Sequence, residues 1–173
     1  MLPRSFSLGR DDIDVFGSLT PAREVGGDLY DFFIRDEKLF FCIGDVSGKG
    51  VPSAIVMAVI HALFRMASAH ENNPARVMQT INETSCEHND SNVFVTLFIG
   101  VLDLPTGHLR YCNAGHDKPV ILKNGQWTIE NCRANIPVGL FKDFKYVMEE
   151  TMIEDHEMLF LYTDGLTEAK NLR

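Results

Sequence analysis

Three aspartates carry the chemistry most readily read from this sequence. Asp45 closes the apolar run Phe40-Phe41-Cys42-Ile43-Gly44 and is followed by the turn Ser47-Gly48-Lys49-Gly50. Asp28 follows Gly26-Gly27, and Asp164 lies between Leu159-Phe160-Leu161-Tyr162-Thr163 and Gly165. A carboxylate at the end of a buried strand is costly unless something pairs with it. Close behind Asp45 the only cation is Lys49, on a flexible turn. Three such carboxylates suit one site for hard divalent cations, which prefer oxygen donors. Taken singly, an aspartate beside glycine is more commonly a turn or cap residue.

The elements that must position these acids are legible in the apolar patterning. Residues 29–34 and 38–43 are short apolar runs flanking Arg35-Asp36-Glu37, a hairpin pattern. It puts Asp28 and Asp45 at the same end of adjacent antiparallel strands, where they repel unless a cation lies between them. Residues 13–19 read as an earlier strand, and 20–27 as a glycine-containing loop. Residues 51–68 are apolar nearly all round, with Pro52 suited to a first helical turn, and predict a central buried helix. Asn73 caps a second, more polar helix over 74–88. Strands are expected over 93–102, 108–112, 119–123, 126–129, 145–152 and 157–162, with Asn124-Gly125 as a hairpin turn. The expected class is α+β, dominated by antiparallel pairing.

Composition narrows the function classes. The chain has 173 residues, 45% of them hydrophobic, so one domain with a sizeable core is expected. The net charge of −8 argues against a nucleic-acid surface. The longest apolar stretch, 54–64, is interrupted by His61 and reads as too short to span a bilayer, so the expected location is cytoplasmic. Cys42, Cys86, Cys112 and Cys132 form no CxxC pair and are expected as reduced, mostly buried thiols. The glycine turn 44–50 is one residue short of a phosphate-binding P-loop and has Gly50 where Ser or Thr must follow the lysine.

Five segments, in order, resemble the signatures of the SpoIIE/RsbU-type serine phosphatases, the bacterial branch of the metal-dependent type 2C protein phosphatases. They are residues 21–32 (PAREVGGDLYDF), 44–50 (GDVSGKG), 94–98 (FVTLF), 113–116 (NAGH) and 161–169 (LYTDGLTEA). The resemblance implies a β-sandwich of two antiparallel sheets flanked by helix pairs, an αββα arrangement. It also implies two Mn²⁺ or Mg²⁺ ions. Asp45 would bridge both, Asp28 and the backbone carbonyl of Val46 would hold one, and Asp164 the other. Water between the ions would attack phosphorus directly, so no nucleophilic side chain is required.

The implied substrate is a phosphoserine or phosphothreonine on a regulatory protein of the anti-sigma-factor antagonist type. An upstream sensory domain or activator is implied as a further partner, and monomer and homodimer are both open. Arg23 is a candidate contact for the substrate phosphate, its plainer reading being a solvated loop arginine. Asp31 is a candidate for orienting a ligand or metal-bound water. His116 is either a shell residue or, as favoured here, part of a structural turn. The family's core normally runs on through another helix and a strand with a further Asp. Residues 1–173 therefore read as one SpoIIE-like domain lacking that last helix and strand, with the ion beside Asp164 held weakly or not at all. The other reading is a phosphatase-like module, catalytically impaired, that binds a partner-switching protein.

Overall fold

The computed structural model describes residues 12–19, 26–48, 50–87, 93–133 and 135–167, with the backbone of residues 5–6. Strands β1 (Ser5–Phe6) and β2 (Val15–Phe16) pair as a small two-stranded ribbon. The expected strand over 13–19 is thus two residues long. Strands β3 (Leu29–Arg35) and β4 (Lys38–Val46) form the expected hairpin, and helix α1 (Val51–Ser68) follows directly. Helix α2 (Pro74–Glu87) is capped by the Asn73 carboxamide, which accepts from the Ala75 and Arg76 N–H groups. Then come β5 (Val95–Asp103), β6 (His108–Ala114), β7 (Val120–Lys123), β8 (Gln126–Ile129), β9 (Glu149–Met152), β10 (Met158–Phe160) and the one-turn helix α3 (Asp164–Thr167).

Five strands make an antiparallel sheet in the order β3-β4-β5-β6-β9, and three make a second in the order β10-β7-β8. The α+β class and the two antiparallel sheets agree with the sequence reading. Helices α1 and α2 cover one face of the larger sheet. Among the described residues the smaller sheet has no matching helix pair. Strand β9 is shorter than the 145–152 expected, because 141–148 run as irregular backbone.

Strand alternation divides the interior into two cores. On the helix side, Phe40, Cys42, Val46, Val95, Leu97, Ile99 and Val101 meet Ile60, Phe64, Val77, Met78 and Ile81. On the other side, Phe98, Leu109 and Tyr111 pack with Phe41, Ile43, Leu159 and Leu161. Gly100 lies under the Phe41 ring, and a Cβ there would come within 2.1 Å of Phe41 Cζ.

Helix α1 is held on the helix side by Asp31. Its carboxylate is buried and accepts from Arg65 Nε and, at 2.5 Å, Arg65 Nη2, while His61 Nε2 lies 2.9 Å away. Asp31 Oδ1 also accepts from the Phe32 N–H at 2.8 Å. The Arg65 guanidinium stacks over the Phe33 ring at 4.4 Å. Asp31 therefore serves helix docking on the opposite face from Asp28. This corrects its reading as a residue that orients a ligand. With 18 residues and a mean hydropathy of 1.6, α1 is longer than the 54–64 stretch suggested, and it is apolar and long enough to cross a membrane by length and composition. Here it lies on β4 and α2 with Ile60, Leu63 and Phe64 buried, while Val51, Ile55, Val59 and Met66 are exposed, so it is a surface helix and not the central buried helix expected.

Cys42 and Cys112 are buried, whereas Cys86 and Cys132 are only half-buried, and all four are free thiols. Burial pushes the Cys42 thiol well up and Cys112 up to about 12, so both are inert in a protein at neutral pH.

Candidate active site

The β3–β4 register pairs Leu29 with Gly44, which places Asp28 across from Asp45 one step beyond. By strand alternation Asp45 shares the face of Phe41 and Ile43, away from the helices. The two carboxyl groups are close enough that Asp28 raises the pKa of Asp45. Desolvation first, then the charges of Asp28 and Asp164, push Asp45 up to about 6. Asp28 is raised as well, chiefly by desolvation, against hydrogen bonds from Asp45 and Thr163 and with Asp164 adding to the rise. This is the electrostatic signature of clustered acids.

Backbone geometry around the pair is tight. A Cβ on Gly27 would sit 2.9 Å from the Val46 carbonyl oxygen and 3.3 Å from Asp45 Oδ1. Only glycine leaves that carbonyl and carboxylate open on this side. Val46 N donates to Gly27 O at 3.3 Å, tying the two segments together. Ser47 faces the next strand: its N–H donates to Phe94 O and its hydroxyl accepts from Phe94 N–H, each at 2.9 Å.

Beyond Asp45 a cleft of about 210 Å³ opens, lined by Asp45, Thr96, Gly115, His116, Asp117 and Asp164. Thr96 pairs with Asp45 across the β4–β5 ladder. Its hydroxyl lies 3.2 Å from His116 Nδ1 and 3.4 Å from Asp45 O. The two contacts coexist as hydrogen bonds when Nδ1–H donates to the hydroxyl and the hydroxyl donates to the carbonyl, which leaves Nε2 a bare acceptor. His116 is 8% exposed, and Nε2 has no hydrogen-bond partner among the described residues. Burial lowers the pKa of the ring, opposed by Asp117, the Tyr162 backbone and Asp164, so it is neutral at pH 7. Its backbone N–H donates to Asn113 Oδ1 at 2.8 Å. The turn hydrogen bond expected of His116 is present, and its ring faces the cleft as well. Asp117 was not singled out in the sequence, because it sits in no strand-ending pattern. Thr96 was legible only as part of FVTLF.

The structure therefore brings Asp28 and Asp45 into contact and places Asp164 within electrostatic range on the same cleft. Among the described residues, no three carboxylate, His or Cys side chains gather closely enough to enclose an ion. The donors nonetheless suit hard divalent cations: carboxylates and one backbone carbonyl, an open glycine cradle, and clustered negative charge. Arg23 lies outside the described residues.

Comparison with known proteins agrees with this architecture. The family model for Stage II sporulation protein E (SpoIIE) matches residues 35–173, and the chain belongs to that family. Protein IcfG of Synechocystis sp. is 33% identical over 180 residues, covering 87% of this chain and 28% of IcfG. The phosphoserine phosphatase RsbU of Bacillus subtilis is 27% identical over 161 residues, covering 91% of this chain and 48% of RsbU. Among solved structures, the PP2C phosphatase domain of SpoIIE from B. subtilis superimposes with a TM-score of 0.73 at 18% identity, covering 85% of this chain and 45% of that one. The fold is thus that of the PP2C phosphatases. The chain spans less than half the length of these curated relatives.

Proposed function

We propose that this chain is the catalytic domain of a protein serine/threonine phosphatase dependent on Mn²⁺ or Mg²⁺, acting in the cytoplasm of a bacterium. The observation that carries the reading is the Asp28–Asp45 contact beside Asp164, on a fold shared with PP2C phosphatases. Asp45 would bridge two ions, with Asp28 and the Val46 carbonyl holding one and Asp164 the other. Bound there, such ions activate water and neutralise charge on the phosphoryl group. The chain's own residues do the rest. Gly27 keeps the Val46 carbonyl accessible, and Thr96 fixes the imidazole of His116 at the cleft. The neutral Nε2 of His116 then offers a hydrogen-bond acceptor next to the reacting group. Family membership supports a phosphoserine or phosphothreonine of a regulatory protein, of the anti-sigma-factor antagonist type, as the substrate in sigma factor regulation. An upstream sensory domain or activator would control it.

A second reading, a module that binds a partner-switching protein without turnover, is favoured by one observation: among the described residues three metal-binding side chains do not close around one point. Phosphate release from a simple aryl phosphate, followed across an Mn²⁺ titration and then with chelator, separates the two. Turnover that appears with metal and vanishes with chelator supports the phosphatase. Its absence at millimolar metal supports the binding module.

A further inference from the structure

The turn after β6 separates two clefts of opposite character. Gly115 adopts φ +70°, and the Pro137 ring occupies the space beside it, with Cγ 2.8 Å from where a Cβ would stand. This fixes Gly115 and His116 as a shared wall. On one side lies the acidic cleft with Asp45, Asp117 and Asp164. On the other lies a cleft of about 160 Å³ lined by Asn113, Lys118, Cys132, Arg133 and Asn135 as well as the shared wall. Among the described residues its charged lining residues, Lys118 and Arg133, are both cationic, in a chain whose net charge is −8.

The floor of this second cleft is rigid and its polar groups are committed. The Asn113 carboxamide donates to His116 O and accepts from His116 N–H. The Asn135 carboxamide donates to Asn113 O and Val147 O, and accepts from Val147 N–H. The donors left to meet a ligand are those of Lys118 and Arg133. Lys118 Nζ bonds Asn131 Oδ1 at 3.2 Å, which occupies one of its three protons. Glu149 is held beside Arg133, accepting from its backbone N–H at 2.9 Å and lying 3.7 Å from its Nε, but the Arg133 side chain is 72% exposed, which leaves the outer guanidinium nitrogens open.

We infer that Lys118 and Arg133 form a specificity subsite that takes a carboxylate side chain of a polypeptide substrate, within about three residues of the phosphorylated one. An extended peptide advances about 3.3 Å per residue, so a short segment laid across the Gly115–His116 wall reaches both clefts. A small phosphoester reaches only the first. The inference deepens the phosphatase reading and rests on it for the identity of the phosphorylated residue.

The test compares three substrates in Mn²⁺: an aryl phosphate, a phosphoserine peptide with flanking Glu, and the same peptide with Gln. Wild type is expected to favour the Glu peptide over the Gln peptide by about fivefold in kcat/KM, a size appropriate to two exposed ion pairs, and to lose the preference in about 1 M salt. In the doubly charge-reversed Lys118→Glu/Arg133→Glu protein the preference should turn toward a Lys-bearing peptide, a reversal that misfolding does not produce. Turnover of all peptides with no preference, or a preference unmoved by the reversal, overturns the subsite. Should wild type hydrolyse no substrate, the phosphatase reading falls by itself. Amide shifts of Lys118, Cys132 and Arg133 in an NMR titration then decide the subsite: shifts with the Glu peptide alone support it, and equal or absent shifts overturn it.

Discussion

Asp28 stands across the β3–β4 ladder from Asp45, close enough for its charge to raise the Asp45 pKa, on the face of the sheet turned away from the helices. Folding alone therefore concentrates negative charge, and the consequence for stability has a definite sign. Asp45 has its folded-state pKa raised from 3.8 to about 6. The folded protein then binds the proton more tightly than the unfolded chain. Its contribution is fully favourable below about pH 4 and is lost as pH rises through 6. The metal-free Asp45→Asn protein is accordingly expected to be more stable than wild type at pH 7.5, by ~1 kcal/mol or about 3 °C in Tm after discounting for solvent screening. The gain should disappear below about pH 4. Thermal melts in chelator across pH 4–8 check it.

Gly27 offers a way to perturb the same centre without touching a carboxylate. A methyl group at that position would press on Val46 O at 2.9 Å. Gly27→Ala is expected to fold, and to weaken Mn²⁺ binding by roughly tenfold or more, the range of effect for losing support around a ligand. The readout is the rise in Tm with added Mn²⁺, since a ligand that binds only the folded state stabilises it in proportion to its saturation. A wild-type-like rise would remove the Val46 carbonyl from the ligand set.

The Asp31–Arg65 pair should behave as a structural fastening. Arg65→Ala leaves a buried carboxylate with only His61 and the Phe32 N–H as partners. A loss of about 2–4 kcal/mol in urea unfolding is expected, toward the lower end because Arg65 is partly exposed. Retained Mn²⁺ binding in the surviving folded fraction would show that this contact lies outside the ion site.

Gly100→Ala should be among the costlier single-methyl additions in the chain, about 2–3 kcal/mol, because the Phe41 ring already occupies the space. Phe41→Leu in the same protein should recover part of it. Equal stability of the two proteins would mean that the ring swings aside freely.

Sequence reading reached the hairpin, both helices and the two central aspartates because each rests on local signals: strand alternation, Pro52 and Asn73 at helix starts, and glycine beside acid. The bounds of α1 are those expected, and α2 is helical throughout its described residues, Pro74–Glu87. What it could not reach is decided across the chain. The parity of Asp31 on β3 points it at Arg65 and His61 on α1, and no local pattern distinguishes it from Asp28 three residues earlier. Asp117 and the ring of His116 enter the cleft through the turn that Gly115 makes against Pro137, a contact between segments about twenty residues apart. Strand β9 was overextended because Lys145-Tyr146-Val147 alternates like a strand, whereas the Val147 backbone bonds the Asn135 side chain instead of a neighbouring strand.

The most direct measurement is calorimetric titration of Mn²⁺ into wild type and Asp45→Asn, paired with dephosphorylation of a phosphoserine peptide by the same samples. Wild type is expected to bind Mn²⁺ and to show metal-dependent turnover, with both reduced at least about a hundredfold by the substitution, as for removal of a group shared by two ions. Turnover that persists in Asp45→Asn, or proceeds undiminished in chelator, would contradict this.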